Sequence, residues 1–275
     1  MDIRTFAEKV TEIIKNRTNN VEVNVREVVK NNGIKYTGIT IKEIGNNIAP
    51  TIYINEYYKS EKTPAETATY VINTYEEHKI DENVNVDWFK IYELVKTKLK
   101  AKLVNAENTQ YAGVSAKRYG YDDLKIVPYV NVGEIGTITI LPEHIKMWNV
   151  KIQTIVSDAL KNMEEDITMQ SLANFMETSM GFEEGTMFGD SPLNNVLIVS
   201  NKRKVNGAIA AITARKMLKE KYNGNYVVLP SSIHEVLVLE NNEDLEEMTE
   251  MVKAVNSQCV APEDRLSDKA YLISA

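Results

Sequence analysis

Tyr226-Val227-Val228-Leu229-Pro230-Ser231-Ser232-Ile233-His234-Glu235-Val236-Leu237-Val238-Leu239-Glu240 is the stretch that decides the fold. Two apolar runs of β-type residues flank a compact polar insert, and Pro230 punctuates the end of the first run. Such flanks predict a buried β-hairpin. Its bend would present hydroxyl, imidazole and carboxylate groups together, from Ser231, Ser232, His234 and Glu235.

Outward from this hairpin, helices and strands alternate without a strict rhythm. Downstream, Glu243 to Asn256 predicts an acidic helix with Leu245, Met248, Met251, Val252 and Val255 turned inward, and Ala270 to Ile273 a closing edge strand;. Upstream, Asn206 to Lys221 reads as an Ala-rich helix, Lys202-Arg203-Lys204 as a basic turn, and Val196 to Ser200 as a buried strand. A helix is expected from Lys151 to Glu165 with Asn149 as its cap, and a hairpin from Leu124 to Leu141 around Gly133 and Gly136. Residues 105–120 lack a clear period and read as a loop.

The first third reads helix, three strands, helix. Ile3, Phe6, Val10, Ile13 and Ile14 have helical spacing, and Val21, Val23 and Val25 alternate as a half-buried strand;. Asn31-Asn32-Gly33 supplies the positive-φ residues of a tight hairpin turn;. A second strand follows from Ile34 to Ile44 and a third, or a helix entry, from Pro50 to Ile54. Thr63-Pro64 starts a helix that runs to about Lys79, with the proline in the first turn;. Ile80 to Val86 reads as a linker, and Asp87 as the cap of a long helix to Leu103 with Phe89, Leu94, Val95 and Leu99 inward. The expected class is α+β with a mixed or antiparallel sheet. The expected division is an N-terminal part over 1–80, a connecting helix over 81–104 and a larger C-terminal part over 105–275.

Bulk properties narrow the function classes. The 275 residues carry a formal net charge of -7, which disfavours a nucleic-acid backbone as the main partner;. Cys259 is the sole cysteine, so neither an internal disulfide nor a thiolate metal cluster is possible;. The start of the chain does not read as a signal peptide and no apolar run approaches the length of a membrane span, so a cytoplasmic protein is expected;. His78, His144 and His234 stand far apart, in no metal-ligand spacing, and no cofactor motif is found;.

Each candidate site has a structural reading beside its functional one. Ser231 or Ser232 as nucleophile, His234 as base and Glu235 as the orienting acid would form a hydrolytic group, but residues 234 and 235 of a strand point to opposite faces. The alternative is a turn whose serines bond the backbone. Lys202, Arg203 and Lys204, before Asn206-Gly207 and a helix start, could hold an anion, or form a solvated turn;. Glu240 to Glu250 carries six carboxylates and no Lys or Arg, which suits a nucleic-acid mimic, a cation-binding stretch or the solvent face of a helix;.

Two sets of blocks carry a resemblance. Val25-Arg26-Glu27-Val28, Lys30-Asn31-Asn32-Gly33, Thr40-Ile41, Ala49 to Ile54 and Tyr57-Tyr58 resemble the N-terminal signature of an uncharacterised family frequent in gut Clostridia and their mobile elements. Leu229 to Val236, Met251-Val252-Lys253, Val255-Asn256 and Leu266-Ser267-Asp268 resemble its C-terminal signature. The resemblance spans nearly the whole chain and implies no catalytic residue. A fainter likeness, in Trp148-Asn149-Val150, Ala159 to Asn162, Asn206-Gly207-Ala208 and Pro230-Ser231, is similar to the YtpQ-like bacterial proteins, which tend to have an Arg-Asp pair where this chain has Ser232-Ile233-His234. It implies a shared fold for the last two-thirds.

Three functions stand open from the sequence. The first is a non-enzymatic accessory protein with a protein partner, carried by a phage or conjugative element. The second is a hydrolase or transferase using Ser231 or Ser232 with His234. The third is an acidic inhibitor of a nucleic-acid-binding protein, which requires a continuous negative stripe.

Overall fold

In the computed structural model, residues 1–79, 85–118, 121–241 and 244–274 are described. They separate into two units, Met1–Val86 and Asp87–Ala275. Each combines helices with antiparallel sheet, so the class is α+β, as the sequence predicts.

In the first unit, α1 (Ile3–Arg17) begins at Asp2, whose carboxylate accepts the N–H groups of Arg4 and Thr5 at 3.0 Å. The cap satisfies two of the donors that a helix start leaves open. Phe6, Val10 and Ile14 recur on one face and are buried. β1 (Val21–Val29) and β2 (Lys35–Glu43) pair antiparallel over nine residues, joined at Asn31–Gly33, where Asn32 and Gly33 take φ of 58° and 71°. β3 (Thr51–Tyr53) completes a sheet of order β1-β2-β3, and α2 (Asn55–Lys59) leads to α3 (Pro64–His78). At the start of α3, Thr63 Oγ1 accepts the Glu66 N–H at 3.2 Å and the Glu66 carboxylate accepts the Thr63 N–H at 2.8 Å;. Val23, Ile39, Ile41 and Ile52 from the sheet and Ala68, Val71 and Tyr75 from α3 bury one shared core with α1. Each fully buried aliphatic side chain contributes about 1.5–3 kcal/mol.

The second unit departs from the sequence reading at its start. The helix expected over 87–103 is a 3₁₀ turn at Asp87–Lys90, then α4 (Tyr92–Val95), a second turn at Lys96–Lys98, and β4 (Leu99–Asn105). The cause is period: Leu99, Ala101 and Leu103 are buried while Lys100 and Lys102 alternate outward, and seven residues pair with β6 (Tyr121–Asn131);. The expected connecting segment 81–104 therefore ends inside a sheet. Its residues 81–84, like most of the linker expected at 80–86, lie outside the described residues. β5 (Ala116–Arg118), within the stretch expected as a loop, and β7 (Thr137–Thr139) pair with β6 as well, the latter in the expected hairpin.

A second correction concerns Asn149. It is the left-handed C-cap, φ 53°, of α5 (Pro142–Trp148), not the start of α6 (Ile152–Lys161). β8 (Ile167–Ser171), α7 (Leu172–Ser179) and β9 (Leu197–Asn201) follow. The helix expected over 206–221 is broken into a 3₁₀ turn at Gly207–Ile209, α8 (Ala210–Thr213) and α9 (Arg215–Lys221). The decisive hairpin forms as read: β10 (Tyr226–Leu229) pairs antiparallel with β11 (Val236–Glu240), Tyr226 opposite Glu240 and Leu229 opposite Leu237. α10 (Leu245–Cys259) and β12 (Tyr271–Ile273) close the chain, and the start expected at Glu243 lies outside the described residues.

The resulting five-stranded sheet has the order β12-β10-β11-β9-β8, all neighbours antiparallel. Both faces of the hairpin are covered. Tyr226, Val228, Val236 and Val238 enter the large core shared with β4 and β6, while Val227 and Leu229 meet Met248 and Val252 of α10. Only that narrow stripe of α10 is inward. Met251 and Val255, expected inside, are exposed, and Leu245 is at the surface beside the capping Asp244.

Candidate functional site

The bend Pro230–Glu235 is stitched to the segment before β12. Ile233 N–H donates to Asp264 O at 2.8 Å, Leu266 N–H to Ser231 O at 3.1 Å, and Ser267 N–H to Pro230 O at 3.1 Å. Ser267 is buried and its hydroxyl donates to Asp123 Oδ2 at 3.0 Å and lies 2.9 Å from the Tyr271 hydroxyl. Asn256 of α10, also buried, donates to Ser267 O at 2.9 Å and to Asp268 Oδ1 at 2.5 Å. Three of the four C-terminal blocks of the resemblance, those around Ser231, Asn256 and Ser267, thus meet in space.

The same bonds decide what the polar residues of the bend do. Ser232 is 7 % exposed, and its Oγ accepts the backbone N–H of His234 at 3.0 Å. The His234 carbonyl accepts Ser200 Oγ at 2.7 Å. The imidazole turns elsewhere: Nδ1 accepts the Asn206 N–H at 3.4 Å and Nε2 faces Asp264 Oδ1 at 3.4 Å. An accepting Nδ1 leaves the proton on Nε2, where it points at the carboxylate. Ser231 contributes its carbonyl to Leu266, and neither serine oxygen bonds to the ring. Glu235 lies on the other side, with Thr168, Gln170, Phe175, Ser200 and Lys204 around a cavity of about 40 Å³. That volume suits a water or two, far below the roughly 300 Å³ of the smallest ligand pockets. The four residues do not form a nucleophile–base–acid group.

The basic turn is also built into the frame. Asn201, buried, clamps Val205 with both ends of its amide, donating to Val205 O at 2.8 Å and accepting its N–H at 3.2 Å. Lys202 N–H donates to Asp166 O at 3.1 Å. Lys204 and Asn206 take left-handed φ of 53° and 52°. Lys204 Nζ sits 4.7 Å over the Phe175 ring. Burial pushes the Tyr129 hydroxyl up, and a hydrogen bond with Asn206 and, less, the Arg203 guanidinium partly draw it back. Of the three cations Lys204 lies over an aromatic ring, and no long helix starts behind the turn. Gly207 closes the turn against the bend, since a Cβ there would lie 2.0 Å from Ser200 Oγ and 2.3 Å from His234 O;.

His144 serves its own helix start, where its Nδ1 accepts the Leu141 N–H at 3.1 Å and its ring packs edge-on against Phe89. His78 ends α3. Among the described residues, no three His, Cys, Asp or Glu side chains are grouped to hold a metal ion.

Sequence reasoning missed a loop of the second unit that is held by a buried carboxylate. Glu177 of α7 is fully buried, and its carboxylate accepts the backbone N–H groups of Met187 at 2.7 Å and Phe188 at 2.8 Å, and that of Gly185. Those bonds, Phe188 foremost, hold the carboxyl below the usual range;. The loop so fixed carries Met180, Phe182 and Met187 about half exposed, with Glu183, Glu184 and Asp190 beside them at the surface. A glutamate in the middle of a helical segment reads as surface charge, and only the sequel Gly185 to Gly189, rich in positive-φ glycines, hinted at a folded loop.

Fold and site together define a two-unit α+β protein whose polar bend is hydrogen-bonded into its surroundings and which carries an acidic and apolar exposed loop. The chain belongs to the family of unknown function designated DUF5688, whose model matches residues 3–274. Comparison with curated proteins and with solved structures finds no significant match. Among the described residues, no helix is long and apolar enough to cross a membrane.

Proposed function

We infer that the chain is a protein-binding accessory module that works through residues 180–191, and that its partner offers basic and apolar side chains. The observation that carries this reading is the Glu177 carboxylate, which orders the loop from within while Met180, Phe182 and Met187 face water. Exposing three large apolar side chains is unfavourable unless something covers them. Ordering the loop beforehand removes the entropy cost that a floppy segment would meet on binding. Methionines adapt to varied apolar surfaces, and Glu183, Glu184 and Asp190 around them select for positive charge;.

The rival hydrolase lacks a comparable support, because the Ser232 hydroxyl is engaged by a backbone N–H. The acidic-inhibitor reading is weakened at α10, where Glu250 pairs with Lys253 and Met251 and Val255 interrupt the negative surface.

Fluorescence anisotropy with a cationic amphipathic Leu/Lys peptide and an anionic Leu/Glu peptide tests the proposal. The cationic peptide should bind in a salt-sensitive manner, and the variant Phe182→Ser/Met187→Ser should lose that binding at unchanged melting temperature. Equal binding of both peptides, or binding unaffected by the two substitutions, overturns it.

A further inference from the structure

The longer edge of the first unit's sheet, β1, is open. β1 pairs with β2 alone, along nine residues without a bulge or proline, and among the described residues no strand lies on its other side. Natural edges are usually blunted by such devices. Beside this edge runs a groove of about 400 Å³ lined by Lys15, Thr18 and residues 21–24.

The ladder fixes which groups face outward. Lys30 N–H donates to Ile34 O and Ile44 N–H to Asn20 O, framing the β1–β2 pairing. Opposed residues alternate between bonded and non-bonded pairs, so the even-numbered residues of β1 bond to β2. Val21, Val23, Val25 and Glu27 therefore direct their N–H and C=O groups to the open edge. On the side-chain level, Glu22, Asn24 and Arg26 share the exposed face, while Val21, Val23 and Val25 face the core.

We propose that β1 pairs antiparallel with β1 of a second copy of this chain, in the register that sets Asn24 opposite its own counterpart. In that register Val23 faces the copy's Val25 as a hydrogen-bonded pair, which matches the outward backbone groups. Glu22 faces the copy's Arg26, and Arg26 the copy's Glu22, as non-bonded pairs whose side chains approach most closely. Moving the register by one bonded pair in either direction loses both charge matches. The strand's charge order is thus complementary to its own reverse. Glu22 already reaches Lys42 at 3.1 Å on the same face, so its carboxylate would lie between two cations. The copy's Glu27 would come beside Val21, on the face where Lys15 lines the groove. The result is a continuous six-stranded sheet with helices of both copies on one face.

Cysteine crosslinking of the full chain tests the register. With Cys259→Ser removing the exposed native thiol, Asn24→Cys should form an intermolecular disulfide under mild oxidation, because opposed Cα atoms of a non-bonded pair lie about 4.5 Å apart;. Glu22→Cys in the same background should not link to itself. In sedimentation equilibrium, Arg26→Glu should weaken self-association about tenfold and Glu22→Arg/Arg26→Glu should restore it. Both side chains are exposed, and far-UV circular dichroism checks that the variants stay folded. A chain that stays monomeric to about 1 mM overturns the proposal, as does a dimer that neither crosslinks at residue 24 nor responds to the charge swap.

Discussion

The carboxylate of Glu177 accepts the backbone N–H of Phe188 at 2.8 Å, eleven residues on, with no solvent reaching the glutamate. A buried anion is tolerated only when it is well hydrogen-bonded, and here three loop N–H groups meet it;. The loop is therefore conditional on that charge. Glu177→Gln, which keeps the shape and removes the charge, should speed amide exchange over residues 183–188 and open the loop to limited proteolysis, with β10 and β11 unchanged.

The same pair makes the loop sensitive to acid. The folded-state value of Glu177 is depressed, so its contribution is fully present above the unfolded carboxyl value and is lost as pH falls through the folded one;. Amide exchange of 183–188, corrected for intrinsic pH dependence, should rise on acidification before the rest of the second unit opens. Glu177→Gln should remove that acid step.

Asp123 titrates in the opposite sense. Burial pushes its carboxyl up, beyond what the Ser267 hydroxyl and nearby Lys269 draw back, and Oδ1 has no hydrogen-bond partner among the described residues. A raised folded value means stability that is present below the unfolded value and is lost as pH rises through the folded one. Asp123→Asn should therefore gain stability relative to the parent at pH 7 and lose that advantage at pH 4, measured by urea unfolding at both.

Gly207 is the steric keystone between the basic turn and the bend. Gly207→Ala sets a methyl against Ser200 Oγ and the His234 carbonyl, and should cost about 2 kcal/mol or more in urea unfolding;. Lys202→Ala, at an exposed side chain of the same turn, should change stability by less than about 0.5 kcal/mol;.

The serines should behave as turn residues. Ser232→Ala removes the acceptor for the His234 N–H and should cost about 1 kcal/mol;. Ser231→Ala, whose role is through its carbonyl, should be close to neutral. Peptide binding should survive both substitutions.

Much of the architecture was legible in local pattern. The Tyr226 to Glu240 hairpin reads correctly because both strands are apolar on both faces and Pro230 breaks them. Thr63, Pro64 and Glu66 announce α3 through a cap that needs only neighbours in sequence. β4 reads as helix in sequence because Leu94, Val95 and Leu99 mimic a helical stripe, while the Lys100 and Lys102 alternation draws its meaning from β6, which lies further along the chain. β8 carries a readable alternation, Ile167 and Met169 on the core against Thr168 and Gln170, but over so short a run that it does not stand out from its surroundings;. For the site, the bend was visible but its partners were not. Asp264 meets the His234 ring thirty residues downstream, and Glu177 meets loop amides that carry no side-chain signal.

Hydrogen–deuterium exchange of the full chain with and without the cationic peptide tests the central claim most directly. Binding through the Glu177-held loop predicts new protection concentrated in residues 180–191, absent in Phe182→Ser/Met187→Ser. Protection that appears instead around Ser231 to Glu235, with the loop unchanged, would contradict it.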